Sequence, residues 1–91
     1  MRFSLYPNPV NDLLNLEYSL EYDQKVSVSI HDLQGKMVKP ILNLQEVSQG
    51  LNKVNVDVSD LDEGVYIVRL EFSMQPSKTV RMIKTGTVPS N

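Results

Sequence analysis

The sequence contains no cysteine and no tryptophan among its 91 residues. Without cysteine there is no disulfide, no thiol nucleophile and no thiolate metal site, but the redox compartment is left open. No apolar run is long enough to span a bilayer, so we expect no direct membrane insertion. Neither sign of charge dominates, since 9 lysines and arginines stand against 11 aspartates and glutamates. Nucleic-acid binding needs a concentrated basic face, so no nucleic-acid partner is expected.

Signatures of catalysis are equally scarce. His31 is the only histidine. A histidine that acts as a general base needs a nucleophile and an orienting group, and no motif of that kind accompanies His31. Its place in an alternating segment favours the polar face and a solvent-exposed ring. The sequence also lacks a glycine-rich phosphate loop and a zinc motif. We therefore predict that the protein is not an enzyme and binds no cofactor.

The composition is otherwise that of a folded domain. Hydrophobic residues make up 41% and charged residues 22% of the chain, so disorder is not expected. A chain of 10.3 kDa forms one domain, which we place at residues 1–84, before a polar tail at 85–91 that is expected to be flexible. Met1-Arg2 leads into an apolar segment without the pattern of a secretory leader. We expect either a cytoplasmic protein or one domain of a longer exported chain.

Alternation of apolar and polar residues with a period of two recurs along the chain and predicts strands. Helical spacing does not persist over two turns, and buried parallel strands would be continuously apolar. We therefore predict an all-β fold, an immunoglobulin-like antiparallel β-sandwich of about seven strands. The alternating apolar positions are Leu14, Leu16, Tyr18 and Leu20; Val26, Val28 and Ile30; Val54, Val56 and Val58; Tyr66, Val68, Leu70 and Phe72; and Val80 and Met82.

A proline doublet near the start, Pro7 and Pro9, fixes the entry into this fold. Each proline removes a backbone donor and pushes the preceding residue into extended geometry. Prolines occur on edge strands or at strand ends. We therefore predict a short apolar edge strand that stops at Tyr6.

Turn signals separate the other strands. Asp32–Lys36 has the composition of a hairpin loop with Gly35 in the left-handed conformation. Residues 43–51 are predicted to be the longest connection. Residues 59–62 are predicted to form one helical turn capped by Ser59. Residues 74–77 close the last hairpin.

The motif Asp62-Glu63-Gly64-Val65-Tyr66 matches the tyrosine corner of immunoglobulin-like sandwiches. In that corner the tyrosine hydroxyl bonds to the backbone a few residues upstream. A catalytic role for Tyr66 is the disfavoured alternative, because a buried tyrosine needs a hydrogen-bond partner for its hydroxyl in any case. We assign Tyr66 a structural role.

Acidic residues crowd the loop before this motif. Asp57, Asp60 and Asp62 could supply oxygen ligands to calcium. Their spacing is not that of an EF-hand loop, and a solvated, capped turn explains them without a metal. The turn is the preferred interpretation, so no metal is predicted.

The last strand, Lys78–Lys84, carries basic residues partly on its outward face. Charges there protect an edge strand against aggregation. The functional alternative is that a basic, exposed terminal strand is offered to another protein, by strand addition or by charge.

In their order these features resemble the C-terminal sorting domain of the type IX secretion system. That family shows a Pro-Asn-Pro head, here Pro7-Asn8-Pro9, and then Asp-x-x-Gly-Lys, here 32–36. It continues with Val-Asp-Val-Ser-x-Leu-x-x-Gly-Val-Tyr, here 56–66, and ends on a basic strand, here 78–84. The resemblance covers nearly the whole chain.

The resemblance implies an address label at the end of a larger cargo protein, which passes through the periplasm to the cell surface or the exterior. Its expected partners are the upstream cargo domain, the outer-membrane translocon and a sortase-like protease. The domain would then be removed, or the cargo anchored, at the surface. Residues implied in translocon recognition are Lys78, Val80, Arg81, Met82, Ile83 and Lys84; those implied as structural are Pro7, Asn8, Pro9, Gly35, Gly64 and Tyr66.

An accessory module of a secreted enzyme, fibronectin-like or carbohydrate-binding, is the alternative function. Carbohydrate-binding modules present exposed aromatic platforms. This chain has four tyrosines and two phenylalanines, and most of them are at inward-phased positions. A purely structural spacer is the third possibility.

Overall fold

The computed structural model describes residues 2–86 and contains seven strands in two antiparallel sheets. The smaller sheet has the order β1-β2-β5 and the larger the order β4-β3-β6-β7. The predicted all-β sandwich is confirmed. No helix within residues 2–86 has the length and apolar character needed to cross a bilayer. The strands are β1 (Phe3–Tyr6), β2 (Leu13–Leu20), β3 (Gln24–His31), β4 (Met37–Val47), β5 (Gly50–Asp57), β6 (Gly64–Phe72) and β7 (Lys78–Lys84).

The core lies between the two sheets and is built from the alternating apolar positions. Strand β2 alternates buried and half-buried side chains from Leu14 to Leu20, as a strand with one face on the core must. The Tyr18 ring meets the Phe72 ring edge-on, with centroids 6.1 Å apart. The largest fully buried side chains are Tyr18, Leu14, Leu16, Ile30, Leu70, Met82, Val10, Val26, Val28, Val58 and Val68.

The fourth strand decides which strands form the edges. In antibody constant domains the fourth strand pairs in the sheet of the first, second and fifth. Here β4 pairs with β3 in the larger sheet. The edges of the larger sheet are therefore β4 and β7, and those of the smaller sheet are β1 and β5. Both β1 and β7 are edge strands, as the sequence predicted.

The prediction of a long connection at 43–51 is wrong. Strand β4 continues to Val47 and β5 begins at Gly50, so only two residues join them. The polar sequence suggested a loop because β4 is an edge strand whose side chains are largely exposed along its length. Its pairing with β3 shifts register in three places, and the Leu44 N–H bonds to Ser27 Oγ at 2.9 Å. Pairing with β3 holds this part of β4, and of its side chains only Val47 packs against the core.

The predicted helical turn at 59–62 is also wrong. The Leu61 N–H donates to the Val58 carbonyl at 3.0 Å, which makes a single β-turn. Ser59 donates its hydroxyl to Asp57 Oδ1 at 2.6 Å and its N–H to the same oxygen at 2.9 Å. The serine therefore closes an Asx turn with Asp57 and does not cap a helix.

The Asp32–Lys36 hairpin loop forms as predicted. Gly35 has φ +89°, in the left-handed region that glycine occupies without steric cost. Asp32 Oδ1 accepts from the N–H groups of Gln34 and Lys36, each at 2.9 Å. Asp32 and Gly35 thus both stabilise this loop, the aspartate by its hydrogen bonds and the glycine by its left-handed conformation.

The peptide bonds before Pro7 and Pro9 are both cis.

Of the predicted tail at 85–91, Thr85 and Gly86 are described and contact the domain. Thr85 donates its N–H to the Val10 carbonyl at 2.8 Å, and Gly86 donates to Glu63 Oε1 at 2.7 Å. The rest of the predicted tail, 87–91, lies outside the described residues.

Candidate partner-binding site on the last strand

The residues predicted to carry recognition divide between the two faces of β7. Met82 is fully buried, and Lys84 is only 4% exposed. The Lys84 ammonium donates to the Thr85 carbonyl at 2.8 Å. Lys78 and Val80 are half-buried on the same inward face, whereas Arg81 and Ile83 are exposed on the outward face. Only the outward pair presents its side chains freely.

The backbone of β7 also has two sides. The Arg81 carbonyl, the Ile83 N–H and the Ile83 carbonyl all bond to the segment at 8–10, on the side away from β6. In an antiparallel ladder, pairs that exchange hydrogen bonds alternate with pairs that do not. The even-numbered residues of β7 therefore bond to β6. The odd-numbered ones, Thr79 included, direct their N–H and C=O groups to the free edge.

Asn8 closes part of this edge with its side chain. Its Nδ2 donates to the Arg81 carbonyl at 3.0 Å, and its Oδ1 accepts from the Ile83 N–H at 2.9 Å. Val10 continues the pairing, donating its N–H to the Ile83 carbonyl at 2.8 Å. A parallel bridge then joins Val10 to Lys84. The proline-rich segment thus serves as a short additional strand along the C-terminal half of β7.

The N-terminal half of the edge is open. Within residues 2–86, neither the outward N–H and C=O of Thr79 nor the N–H of Arg81 has a hydrogen-bond partner. Thr79 was not among the predicted site residues. The period-two pattern was the available signal, because it places Thr79 on the same face as Arg81 and Ile83.

The start of β7 is fixed by Gln24, a polar residue only 7% exposed. Its Nε2 donates to Gln75 Oε1 at 3.0 Å, and its Oε1 accepts from the Met74 N–H at 2.9 Å. These bonds anchor the loop that precedes Lys78. The open half of the edge therefore begins from a fixed loop.

The two basic side chains beside the open edge have different surroundings. The Lys78 ammonium lies 5.4 Å from the centroid of the Phe3 ring, a cation–π contact with β1. Arg81 is in none of the ion pairs formed by the described residues, which join Lys39 to Asp60, Lys53 to Glu17 and Arg69 to Glu71. The Arg81 guanidinium is therefore free to meet an anionic group of a partner.

The tyrosine corner forms as predicted. The Tyr66 hydroxyl donates to the Asp62 carbonyl at 2.7 Å. Burial raises the pKa of this hydroxyl above its ordinary value of 10.0, and the negative charges of Asp62 and Asp32 raise it further. Strand β6 begins two residues earlier, at Gly64. The corner holds the start of the strand on which β7 is paired.

The acidic loop is occupied by other side chains. Both carboxylate oxygens of Asp60 lie 3.1 Å from the Lys39 ammonium. Asp57 is bound by Ser59, whose hydroxyl and N–H hold the pKa of the Asp57 carboxyl below its ordinary value of 3.8. Nowhere in residues 2–86 do three or more histidine or carboxylate side chains gather as a metal site would require. The weak calcium candidate, Asp57, Asp60 and Asp62, thus has two of its carboxylates engaged.

His31 is half-buried, so the prediction of a solvent-exposed ring needs correction. Its Nε2 lies 2.8 Å from Ser29 Oγ and its Nδ1 lies 3.3 Å from the Gly35 carbonyl oxygen. Residues two apart on a strand share a face, which explains the contact with the serine. The ring thereby ties β3 to the loop that follows it.

Comparison with known proteins was decisive at the level of the family. A family model described as a secretion system C-terminal sorting domain matches residues 4–85, nearly the whole chain. The chain belongs to this family. No match was found among the curated proteins or the solved structures. The resemblance drawn from the Pro-Asn-Pro head, the hairpin loop and the tyrosine corner is confirmed.

Membership in the type IX sorting-domain family determines the general role. The domain is a C-terminal sorting signal carried by a larger cargo protein that the type IX system handles. The family also implies export to the cell surface or the extracellular space. Sorting-signal domains of this kind are generally non-catalytic.

Proposed function

We propose that the outer-membrane translocon of the type IX system recognises this domain through β7. The domain does no chemistry of its own and acts as the label by which an upstream cargo is selected in the periplasm. A sortase-like protease then removes the label, or the cargo is anchored at the surface. The observation that carries this proposal is an open backbone edge on β7 beside Arg81, which forms no ion pair within residues 2–86.

The burial pattern divides the predicted recognition residues into two roles. Arg81 and Ile83 are exposed, so we propose that they contact the partner through their side chains. Met82 and Lys84 are buried, so we propose that they contribute indirectly by holding β7 in the sheet. Lys78 and Val80 lie between these extremes and border the open edge.

Charge reversal at Arg81 tests the proposal. We expect Arg81→Glu in the full cargo protein to reduce its delivery to the cell surface, because the exposed guanidinium is lost and a like charge faces an anionic partner. Surface delivery is measured by the accessibility of the cargo to external protease, with the periplasmic fraction assayed in parallel.

Arg69→Glu is the matched control. Arg69 is exposed on the neighbouring strand β6, directly opposite Thr79, and its only ion pair among the described residues is with Glu71 at 3.8 Å. We expect this variant to be delivered like the wild type. Thermal unfolding checks that the Arg81 and Arg69 variants are both folded. Equal surface delivery of the two folded variants would reject recognition through β7.

A further inference from the structure

We propose that the open half of the β7 edge, Lys78–Arg81, binds an extended segment of a partner protein by strand addition, while residues 8–10 keep the other half closed. This inference rests on the proposed function, because it specifies how β7 is recognised. We call these parts the open edge (Lys78–Arg81) and the closed edge (Met82–Thr85).

The open edge offers a defined set of backbone groups. Thr79 presents both its N–H and its C=O, and Arg81 presents its N–H, while the Arg81 carbonyl is already bound by Asn8. A partner residue opposite Thr79 in an antiparallel strand would exchange two hydrogen bonds with it. Arg81, the next residue of β7 whose backbone faces the free edge, would donate one further hydrogen bond to the partner strand through its N–H. A short strand can therefore pair here without displacing any part of the domain.

The closed edge defines where the added strand must stop. Beyond Arg81, the Asn8 amide and the Val10 backbone occupy the Ile83 N–H and C=O. Main-chain hydrogen bonds give affinity in strand addition, and side-chain contacts give specificity. The Asn8 side chain thus limits the length and register of any partner strand.

Space is available at the opposite end of the open edge. An open cavity of about 380 Å³ lies beside the start of β7, and it is lined by Glu21, Gln75, Pro76, Ser77 and Lys78. A partner segment that continues past Lys78 would run along this cavity. The loop that forms it is anchored by Gln24, so the cavity does not have to be created by binding.

Side chains around the open edge indicate the partner's sequence chemistry. Val80 is only half-buried on the inward face, so an apolar partner residue on that face would complete its burial. The Arg81 guanidinium lies on the outward face without an ion pair in residues 2–86, so a carboxylate would be favoured there. The fitting occupant is an extended protein segment with an inward apolar residue and an outward acidic residue.

The other sheet edges fit this role less well. Strand β4 carries Pro40 and three register shifts, and such irregularities disrupt edge-to-edge pairing. Strand β1 is only four residues long. Strand β5 is regular, but its Lys53 already lies 3.7 Å from Glu17. Among the edge strands of the described part of the chain, β7 alone combines open backbone groups with a basic side chain that has no ion pair there.

Proline at position 79 tests the proposal, because it removes the outward N–H and leaves the bonds of β7 to β6 in place. Proline is tolerated on an edge strand where its missing donor faces solvent. We expect Thr79→Pro in the full cargo protein to lower surface delivery roughly tenfold or more, whereas Thr79→Ala keeps the N–H and delivers normally. Amide exchange of the purified chain checks the fold of each variant and should show a rapidly exchanging Thr79 in the wild type.

Asn55→Pro is the control for proline itself. The Val58 N–H bonds to the Asp12 carbonyl on the β2 side, so the odd-numbered residues of β5 direct their N–H groups outward. This variant therefore removes an edge donor from the other sheet, and we expect normal delivery.

Asn8→Ala opens the closed edge. We expect faster exchange of the Ile83 amide and normal delivery at a temperature where the variant is folded.

These variants separate the inference from the proposed function. If Thr79→Pro is folded and is delivered as well as Thr79→Ala, strand addition at the open edge is wrong. If the Asn55 proline variant loses delivery equally, or folded Asn8→Ala loses delivery, the restriction to the open edge is wrong. Loss of delivery in Arg81→Glu with normal delivery of Thr79→Pro would keep recognition by β7 and reject strand addition. Normal delivery of both Arg81→Glu and Thr79→Pro would reject both recognition by β7 and strand addition.

Discussion

Asn8 succeeds at the edge of β7 because its side chain has the same functional groups as a peptide bond. A carboxamide presents one acceptor oxygen and an NH₂ donor. In this domain the oxygen receives the Ile83 N–H and the nitrogen donates to the Arg81 carbonyl. An aspartate would keep the acceptor but place a second oxygen against that carbonyl. The asparagine between the two prolines therefore has a specific structural role.

Asp57 shows a different use of a short polar side chain. The Ser59 hydroxyl is the main cause of its lowered pKa, followed by the Ser59 N–H, and the Lys39 charge lowers it further. A carboxyl with a lowered pKa in the folded state contributes stability above its unfolded pKa. That contribution is lost as the pH falls through the folded value.

We predict that Ser59→Ala raises the pKa of the Asp57 carboxyl toward 3.8, its ordinary value. The substitution removes the hydroxyl but keeps the backbone N–H. The carbon-13 shift of the carboxyl, followed through an acid titration, measures the change. Ser4→Ala, an exposed serine on β1, is the control and should leave the Asp57 titration unchanged. An unchanged midpoint in Ser59→Ala would contradict the assigned cause.

At the scale of elements, two devices hold the sheet that carries β7. The tyrosine corner fixes the start of β6, and the Gln24 amide fixes the loop between β6 and β7. Both bond a side chain to backbone or side-chain groups of a turn. The terminal hairpin is therefore held at both of its ends.

We predict that Tyr66→Phe lowers the free energy of unfolding by about 1 kcal/mol, the usual net value of one hydrogen bond. Urea unfolding at neutral pH measures the loss. A raised tyrosine pKa adds a second signature. Its stability contribution is complete below the unfolded pKa and is lost as the pH rises through the folded value. The wild type should therefore lose stability above pH 10.0, and the variant should lack that part of the loss.

Tyr22→Phe is the matched control for this prediction, because Tyr22 is 54% exposed. It should change neither the neutral stability nor its alkaline decline. If Tyr66→Phe behaves like this control, the hydroxyl does not stabilise the corner.

Strand content was predictable wherever one face of a strand meets the core. Alternation in β2, β3 and β6 predicted their inward residues, and the Asp-x-Gly-x-Tyr pattern predicted the corner. Strand β4 was only partly predictable because both faces are exposed from Asn43 to Glu46, so that part of its sequence resembles a loop. Backbone pairing with β3 determines it, and side-chain patterning does not report such pairing.

Recognition through β7 stays a prediction, but burial shows that only Arg81 and Ile83 of its implied residues are exposed. The resemblance implied residues on both faces of β7, whereas a strand exposes alternate ones. The closed edge was beyond sequence reasoning, because Asn8 and Ile83 are 75 positions apart. Nothing in the local pattern around the prolines indicates which strand their segment covers.

At the scale of the whole molecule, the segment at 7–10 joins the two sheets. The chain leaves β1 in the smaller sheet, pairs with β7 at the edge of the larger sheet through Val10, and returns to β2. The Val10 side chain is fully buried in the core on the way. Strand β7 and the entry into the domain are therefore joined by backbone and side-chain hydrogen bonds.

Transfer of the signal is the most direct test of the central claim that the domain directs export. The measurement is the fraction of a periplasm-directed fluorescent reporter, fused ahead of residues 1–91, that external protease can reach in a bacterium with a type IX system. We predict that the fusion reaches the surface, and that the fusion carrying Arg81→Glu stays mostly in the periplasm. Retention of the unmodified, folded fusion in the periplasm would contradict the account.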